Sequence, residues 1–304
     1  MSYAAPIGVF DSGLGGLSVL RAIRAQLPHE RLLYCADSLH APYGVRNSDY
    51  VTHHTLAACD WLVSQGVKAI VVACNTATAQ SIHVMRERYA LPIVGIEPGI
   101  KPASVISRTR IAGVLATAST LQSAKFERLM ALHAGDCRFI CQAGNGLVEA
   151  IEAGDTGSPR VLSLLDRYLA PMLAAGADTL VLGCTHYPFF DLAIRAVGGA
   201  ALTQIEPGAA VARQLERMLG AAGLLAAVPP AVPDSTWAPD LAPAPLRLCS
   251  TSDGAHLRAL AASLLQLELA VETVRFSIED EQAACAAVPP DSATAPARAA
   301  DVTP

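Results

Sequence analysis

"AIVVACNTATAQSI", residues 69–82, opens as an apolar, β-branched run and changes character at a cysteine. Its first five residues have the length and the Val/Ile content of a strand buried on both faces. After Cys74 come four small polar or apolar residues, and then a segment whose apolar residues return at three and four. Strand followed at once by helix is half of a βαβ unit and predicts a parallel sheet. A second stretch, "TLVLGCTHYPFF" at 179–190, repeats the plan: apolar run, cysteine, polar step. Ligands of open parallel sheets bind beyond the carboxyl ends of the strands, which is where Cys74 and Cys184 would stand. A lone cysteine closing a strand is ordinary packing, since free cysteine is among the most buried residue types. The pairing carries the functional reading.

Outward from these stretches, further apolar runs recur as "IGVF", "RLLYCA", "PIVGI", "RIAGVLA", "FICQA", "LTQI", "LRLCS" and "ETVRF", separated by helical patterns such as "LSVLRAIRAQL", "VTHHTLAACDWLVSQ", "TLQSAKFERLMALH" and "SLLDRYLAPMLAA". A weak internal repeat organises them. "GVFDS" at 8–12 is echoed by "GVLAT" at 113–117, "VVACNT" at 71–76 by "VLGCTH" at 181–186, and "IEPG" at 96–99 by "IEPG" at 205–208. Three echoes in one order predict two related α/β halves. The expected fold is therefore α/β, with two pseudo-symmetric parallel-sheet domains and the active site in the cleft between them. Residues 1–97 with 208–278 are expected to form the first domain and 98–207 the second. The Pro-rich stretch 226–246 reads as a surface loop within the first, and 279–304, without periodic apolar positions, as a disordered tail.

Of the 304 residues 52% are apolar and 16% charged, yet no apolar run reaches the roughly 18–20 residues a membrane span needs. The N-terminus lacks a basic region followed by an apolar one, so no secretory signal is expected and the cytoplasm is the expected compartment. The 22 Lys and Arg residues are scattered and the net charge is −5, which argues against a nucleic-acid partner and for a small molecule. The eight cysteines form no C-x-x-C pair and no zinc-finger spacing with histidine; they are expected as free thiols, with no metal site. Of three lysines, Lys68, Lys101 and Lys125, none stands at a strand end beside a phosphate-binding glycine loop, so a pyridoxal Schiff base is not expected. "GLGG" at 13–16 lacks the G-x-G-x-x-G spacing of a dinucleotide site. The expectation is a cofactor-free protein.

Asp11, Ser12, Cys74, Asn75, Thr117, Cys184, Thr185 and His186 all fall at predicted strand ends. Facing halves would bring Cys74 and Cys184 to opposite sides of one cleft, each before a helix start that Thr76, Thr78 or Thr185 could cap. A helix N-terminus lowers a thiol's pKa and binds a carboxylate. Two opposed thiols suit one reaction class: a base on one face of a stereocentre and an acid on the other exchange a proton with inversion.

With "VFDSGLGGLSVL", "APYG", "ACNTAT" and "LGCTHYP" in order, the sequence from about 6 to 278 closely resembles the glutamate racemases of the aspartate/glutamate racemase superfamily. The resemblance implies two α/β domains around one cofactor-independent site that interconverts L- and D-glutamate and feeds D-glutamate to peptidoglycan synthesis. It implies Cys74 as the base toward D-glutamate and Cys184 as the base toward L-glutamate. Asp11 and His186 match the residues that assist proton transfer at the respective thiols, and Glu152 a supporting carboxylate. Asp11 with Ser12, Tyr43 with Gly44, Asn75 with Thr76, and Thr185 with His186 match the substrate-binding pairs, with Thr117 added. The sequence departs from the family at Ala36, where glycine is common, at "AGN" 143–145 in place of a Cys-Pro, and at Glu206, where aspartate is frequent. A homodimer is left open. Two other readings stay in play: an aspartate-type or broader amino-acid racemase, against which "CTHYP" counts, and a non-catalytic amino-acid-binding protein, which would need neither cysteine.

Overall fold

The computed structural model describes residues 2–227 and 245–276. Most of the Pro-rich stretch and all of the tail lie outside them. Among the described residues there are ten strands: β1 (Ile7–Asp11), β2 (Leu32–Ala36), β3 (Ala69–Val72), β4 (Ile93–Gly95), β5 (Ile111–Ala116), β6 (Arg138–Ala143), β7 (Thr179–Gly183), β8 (Thr203–Ile205), β9 (Leu246–Ser250) and β10 (Val271–Thr273). They form a six-stranded sheet in the order β10-β9-β2-β1-β3-β4 and a four-stranded sheet in the order β6-β5-β7-β8. Every pairing is parallel. Removing β9 and β10 leaves 2-1-3-4 facing 6-5-7-8, the same topology twice. The sequence echoes are thus strand-for-strand: β1 with β5, β3 with β7, and the "IEPG" turns after β4 and β8.

The central strands are buried on both faces, as their unbroken apolar runs predict. Side chains alternate in strict register. Ile7, Val9, Leu32, Tyr34 and Val71 pack on one face of the first sheet with Leu17, Leu20 and Leu215; Phe10, Leu33, Ile70 and Val72 pack on the other with Cys59, Leu62 and Met85. In the second sheet Leu115, Leu180 and Leu182 face Leu165, Leu169 and Met172, whereas Ala112, Val114 and Val181 face Ile100 and Phe126. The chain crosses between the sheets at the two "IEPG" turns, and these touch: a Cβ added to Gly99 would lie 2.5 Å from Ile205 Cγ2.

Two local expectations need correction. The strand read in "ETVRF" is only Val271–Thr273, because it is the outermost strand and its partner β9 ends at Ser250. The single helix read over 120–133 is two, Ala118–Leu121 and Ala124–His133. Ser123 interrupts it, its hydroxyl accepting from Phe126 N at 3.1 Å as a new N-cap. Among the described residues no helix is long and apolar enough to cross a membrane.

Candidate active site

In each sheet the strand order reverses direction between the first strand and the third, at β1/β3 and β5/β7, and this switch point opens a crevice at the carboxyl ends. Asp11 ends β1 and Ser12 follows; beyond β3, Cys74 keeps an extended backbone (φ −86°, ψ 123°) and starts the helix Asn75–Arg88. The cap of that helix is not a threonine. Cys74 Sγ itself accepts from Ala77 N at 3.4 Å, whereas Thr78 Oγ1 donates back to Val72 O at 3.1 Å. Ser12 Oγ lies 3.4 Å from the same sulfur. The expected acidification of this thiol is overturned. Burial, reinforced by the Asp11 charge, pushes Cys74 up to about 12, against the opposing hydrogen bonds from Ser12 and Ala77.

The second half is built differently. After β7 and Cys184 the chain makes a 3₁₀ turn, Tyr187–Phe190, before the helix Asp191–Gly198. Thr185 caps nothing; its hydroxyl donates to Asp11 Oδ2 at 3.1 Å in the other domain. His186 Nδ1 lies 3.7 Å from Cys184 Sγ, and its Nε2 lies 2.7 Å from Glu152 Oε1. Burial alone would lower the His186 pKa, but the sulfur and the carboxylate hold it well above the usual imidazole value. Glu152, at the end of the helix Leu147–Glu152, also accepts from Leu14 N at 2.8 Å. A cysteine, a histidine and a carboxylate thus form a chain on one side of the cleft, and a cysteine and a serine stand on the other.

Asp11 does not touch the Cys74 sulfur through a hydrogen bond. Its carboxylate accepts from Gly13 N at 2.8 Å and from Thr185, and burial raises its pKa against the pull of His186. Asn75 is 3% exposed, yet neither its amide oxygen nor its amide nitrogen has a hydrogen-bond partner. A buried orphan amide costs about 1–3 kcal/mol unless something binds it. Thr76 Oγ1 and Thr117 Oγ1 meet at 3.0 Å across the domains. Gly44 rests against Thr117, where an added Cβ would be 2.8 Å from its Cγ2. The Tyr43 hydroxyl points to Asp37 Oδ2 at 2.6 Å, so the side chain anchors its turn and the backbone is left to meet a ligand. All twelve residues singled out in the sequence therefore gather at the two switch points or at the turn beside them.

The sequence reading missed three contributors. Gly13 and Gly15 let the loop after β1 lie directly on the second domain: an added Cβ would fall 2.1 Å from Glu152 Oε1 at Gly13 and 2.4 Å from His186 Nδ1 at Gly15. "GLGG" is a contact surface for Glu152, Thr185 and His186 rather than a phosphate loop. Asp37, one residue past β2, occupies a strand-end position like that of Asp11, and that position was the signal available for it. The departures from the family are accommodated. Ala36 is wholly buried, Tyr168 donates to Asn145 O at 2.7 Å, and burial raises the Glu206 carboxyl.

Fold and site define a two-domain parallel α/β protein with a pair of buried thiols at equivalent switch points. The model of the Asp/Glu/Hydantoin racemase family matches residues 7–215, and the chain belongs to that family. It is 58% identical over 261 residues to a protein of Ralstonia nicotianae named glutamate racemase, covering 86% of this chain and 90% of that one. It is 51% identical over 231 residues to the glutamate racemase of Pseudomonas aeruginosa, covering 76% and 87%. Among solved structures, a glutamate racemase from Bacillus anthracis superposes with a TM-score of 0.76 at 29% identity, over 90% of this chain and 99% of that one. The Escherichia coli glutamate racemase in complex with L-glutamate gives 0.75, also at 29% identity, over 90% and 99%.

Proposed function

We propose that the chain interconverts L- and D-glutamate by a two-thiol mechanism, one cysteine removing the α-proton and the other returning a proton to the opposite face. The observation that carries this is the equivalence of Cys74 and Cys184: each follows the third strand of its four-stranded unit, just past Val72 and Gly183, and each has its own proton partners. The relatives' names supply the substrate. Related structures hold D-glutamate, in the Francisella tularensis enzyme, and L-glutamate, in that of Escherichia coli.

At rest Cys74 is a thiol, since burial holds its pKa near 12, and it is set to donate. To act as base it must lose that proton into a buried site, and the substrate ammonium brings a compensating positive charge. At Cys184, protonated His186 donates from both ring nitrogens, to the sulfur and to Glu152, so a positive charge faces the sulfur as it takes up or gives up a proton. L-Glutamate then loses its α-proton to Cys184 and gains one from Cys74; D-glutamate runs the reverse course. The carboxylate meets backbone N–H groups and the Asn75 amide at the start of the helix Asn75–Arg88. Asp11, Ser12, the Tyr43–Gly44 turn, Thr76, Thr117 and Thr185 complete the binding surface. The reading extends to domains at 1–97 with 208–278 and at 98–207, and to a cytoplasmic role supplying D-glutamate for peptidoglycan.

The test is circular dichroism of purified protein with D-glutamate and no added cofactor. The optical signal should decay to zero. Binding detected calorimetrically without decay would leave a binding protein instead, and decay with aspartate but not glutamate would move the substrate.

A further inference from the structure

Behind Tyr43 lies a second buried polar cluster that the proposed reaction does not use. Asp37 follows β2, His40 stands in the next loop, and His54 lies in the helix Ser48–Ser64. One ligand atom from each, a carboxylate oxygen and two imidazole nitrogens, all fall within 4.8 Å of one another. Asp37 Oδ1 accepts from His40 Nδ1 at 2.7 Å and from Thr251 Oγ1 at 2.9 Å, and Oδ2 accepts from Tyr43. Burial would raise the Asp37 carboxyl, but His40, His54 and Tyr43 around it bring it down to about 2, so it is an anion at neutral pH.

His54 is the group held most loosely in this network, paired with Asp37 only at long range. Its side chain is 4% exposed, and its Nδ1 faces Asp37 Oδ2 at 3.5 Å without a hydrogen bond. Two ligand atoms bound tetrahedrally at about 2.0–2.2 Å to one zinc-sized ion lie roughly 3.3–3.6 Å apart. The Asp37–His54 separation fits that spacing as it stands. The rings are packed together, with the His54 ring tilted against His40 and Tyr50 at 4.1 and 4.2 Å between centroids. His40, 17% exposed, is the edge through which an ion would enter; on binding, its Nδ1 exchanges the hydrogen bond to Asp37 for a metal bond. Two imidazoles and a carboxylate select a borderline transition metal over magnesium or calcium. Asp37 and His40 share the loop after β2, three residues apart, but His54 comes from the following helix, so sequence spacing does not join the three.

We propose that Asp37, His40 and His54 bind one divalent transition-metal ion of the zinc class, behind the Tyr43–Gly44 turn and apart from the two thiols. The ion stiffens the fold there; none of the groups assigned to proton transfer is a ligand.

The test is titration of chelator-treated full-length protein with cobalt(II), followed by its visible d–d absorption, with thermal melting in zinc(II) alongside. One equivalent should bind with nitrogen/oxygen d–d bands and without the near-ultraviolet charge-transfer band of a cobalt thiolate. Zinc should raise the melting temperature in the manner of a native-state ligand. His54→Gln and His40→Ala should each abolish both responses. Because His54 is buried and its variant could lose the fold, the edge residue decides: His40→Ala that melts like wild type without metal yet still binds one cobalt overturns the proposal. So does a thiolate charge-transfer band, or no binding by wild type.

Discussion

Glu152→Gln isolates the charge at the far end of the Cys184–His186–Glu152 chain. Glu152 Oε1 accepts from both His186 Nε2 and Leu14 N, and its side chain is 22% exposed, so solvent screens it only in part. Glutamine keeps the shape and a carbonyl acceptor for Leu14 but removes the negative partner of the imidazolium. A hydrogen bond to a charged group contributes about 1.5–3 kcal/mol and a neutral one about 0.5–1.5. The variant should therefore lose about 1–2 kcal/mol where His186 carries its proton, a fall in kcat of roughly 5- to 30-fold. The pH dependence is the sharper readout. The His186 pKa is raised, so its protonated form is present below that pKa and is lost as pH rises through it. Without the carboxylate charge the pKa falls, and the alkaline limb of kcat must move to lower pH. Circular dichroism with both enantiomers, across neutral and alkaline buffers, measures this. Since the enantiomers are equal in energy, kcat/KM must remain equal in the two directions, which checks the data internally. A fall in kcat with an unmoved alkaline limb would refute the reasoning and leave Glu152 as a prop for Leu14.

Cys74→Ser and Cys184→Ser should each reduce racemisation in both directions by at least the 10²–10⁴ typical of a lost acid–base group. In heavy water, residual α-deuterium exchange should favour L-glutamate for the first and D-glutamate for the second; the same preference in both would remove the two-face arrangement. Gly15→Ala places a methyl carbon 2.4 Å from both His186 Nδ1 and Thr185 Oγ1, so a cost of about 1–3 kcal/mol should appear as a melting temperature lowered by several degrees and a fall in kcat, and wild-type kcat would contradict the packing argument. Lys68→Met breaks a buried pair in which Nζ meets Glu30 Oε2 at 2.5 Å, Tyr3 O at 2.6 Å and Leu224 O at 2.8 Å. Leaving Glu30 buried and unpaired should cost about 3–5 kcal/mol in urea unfolding with kcat unchanged in the folded fraction.

The strands were legible because a buried parallel strand announces itself by an unbroken apolar run, and the duplicated topology because three echoes kept their order. The thiols were legible as a pair because both close such runs. What they feel was not. The direction of the Cys74 shift depends on how completely the two domains close over it, and adjacent residues carry no measure of that. Local pattern assigned its helix a threonine cap, yet the sulfur takes that place once Thr76 is drawn to Thr117. Glu152 reads in sequence as one more carboxylate on an amphipathic helix, and only its contacts with His186 and Leu14, 34 and 138 residues away, distinguish it. The two glycines at 13 and 15 are explained by what presses on them from the other domain.

Those long-range contacts also bear on how a substrate enters. The two thiols are 5% and 6% exposed, so glutamate reaches them only if the carboxyl ends of the two sheets part. Among the polar links that hold them together are Leu14 N to Glu152, Thr185 Oγ1 to Asp11, Ser18 Oγ to Thr185 O at 3.1 Å, Thr76 to Thr117, Gln80 Nε2 to Ser119 Oγ at 3.1 Å and the Lys125–Glu97 pair. At about 0.5–1.5 kcal/mol each, more where a carboxylate accepts, their sum is several kcal/mol, which disfavours the open form at rest yet lies within reach of thermal motion. The covalent links, by contrast, are the two "IEPG" crossings, which press on each other through Gly99 and Ile205 and give the sheets a common line about which to part. On the proposed reading, Asp11, Thr76, Thr117, Thr185 and Glu152 serve twice, as the latch of the closed cleft and as walls around the substrate. A substrate that satisfies the Asn75 amide and draws on the same donors replaces the latch with its own contacts, so closure and proton transfer depend on one set of groups.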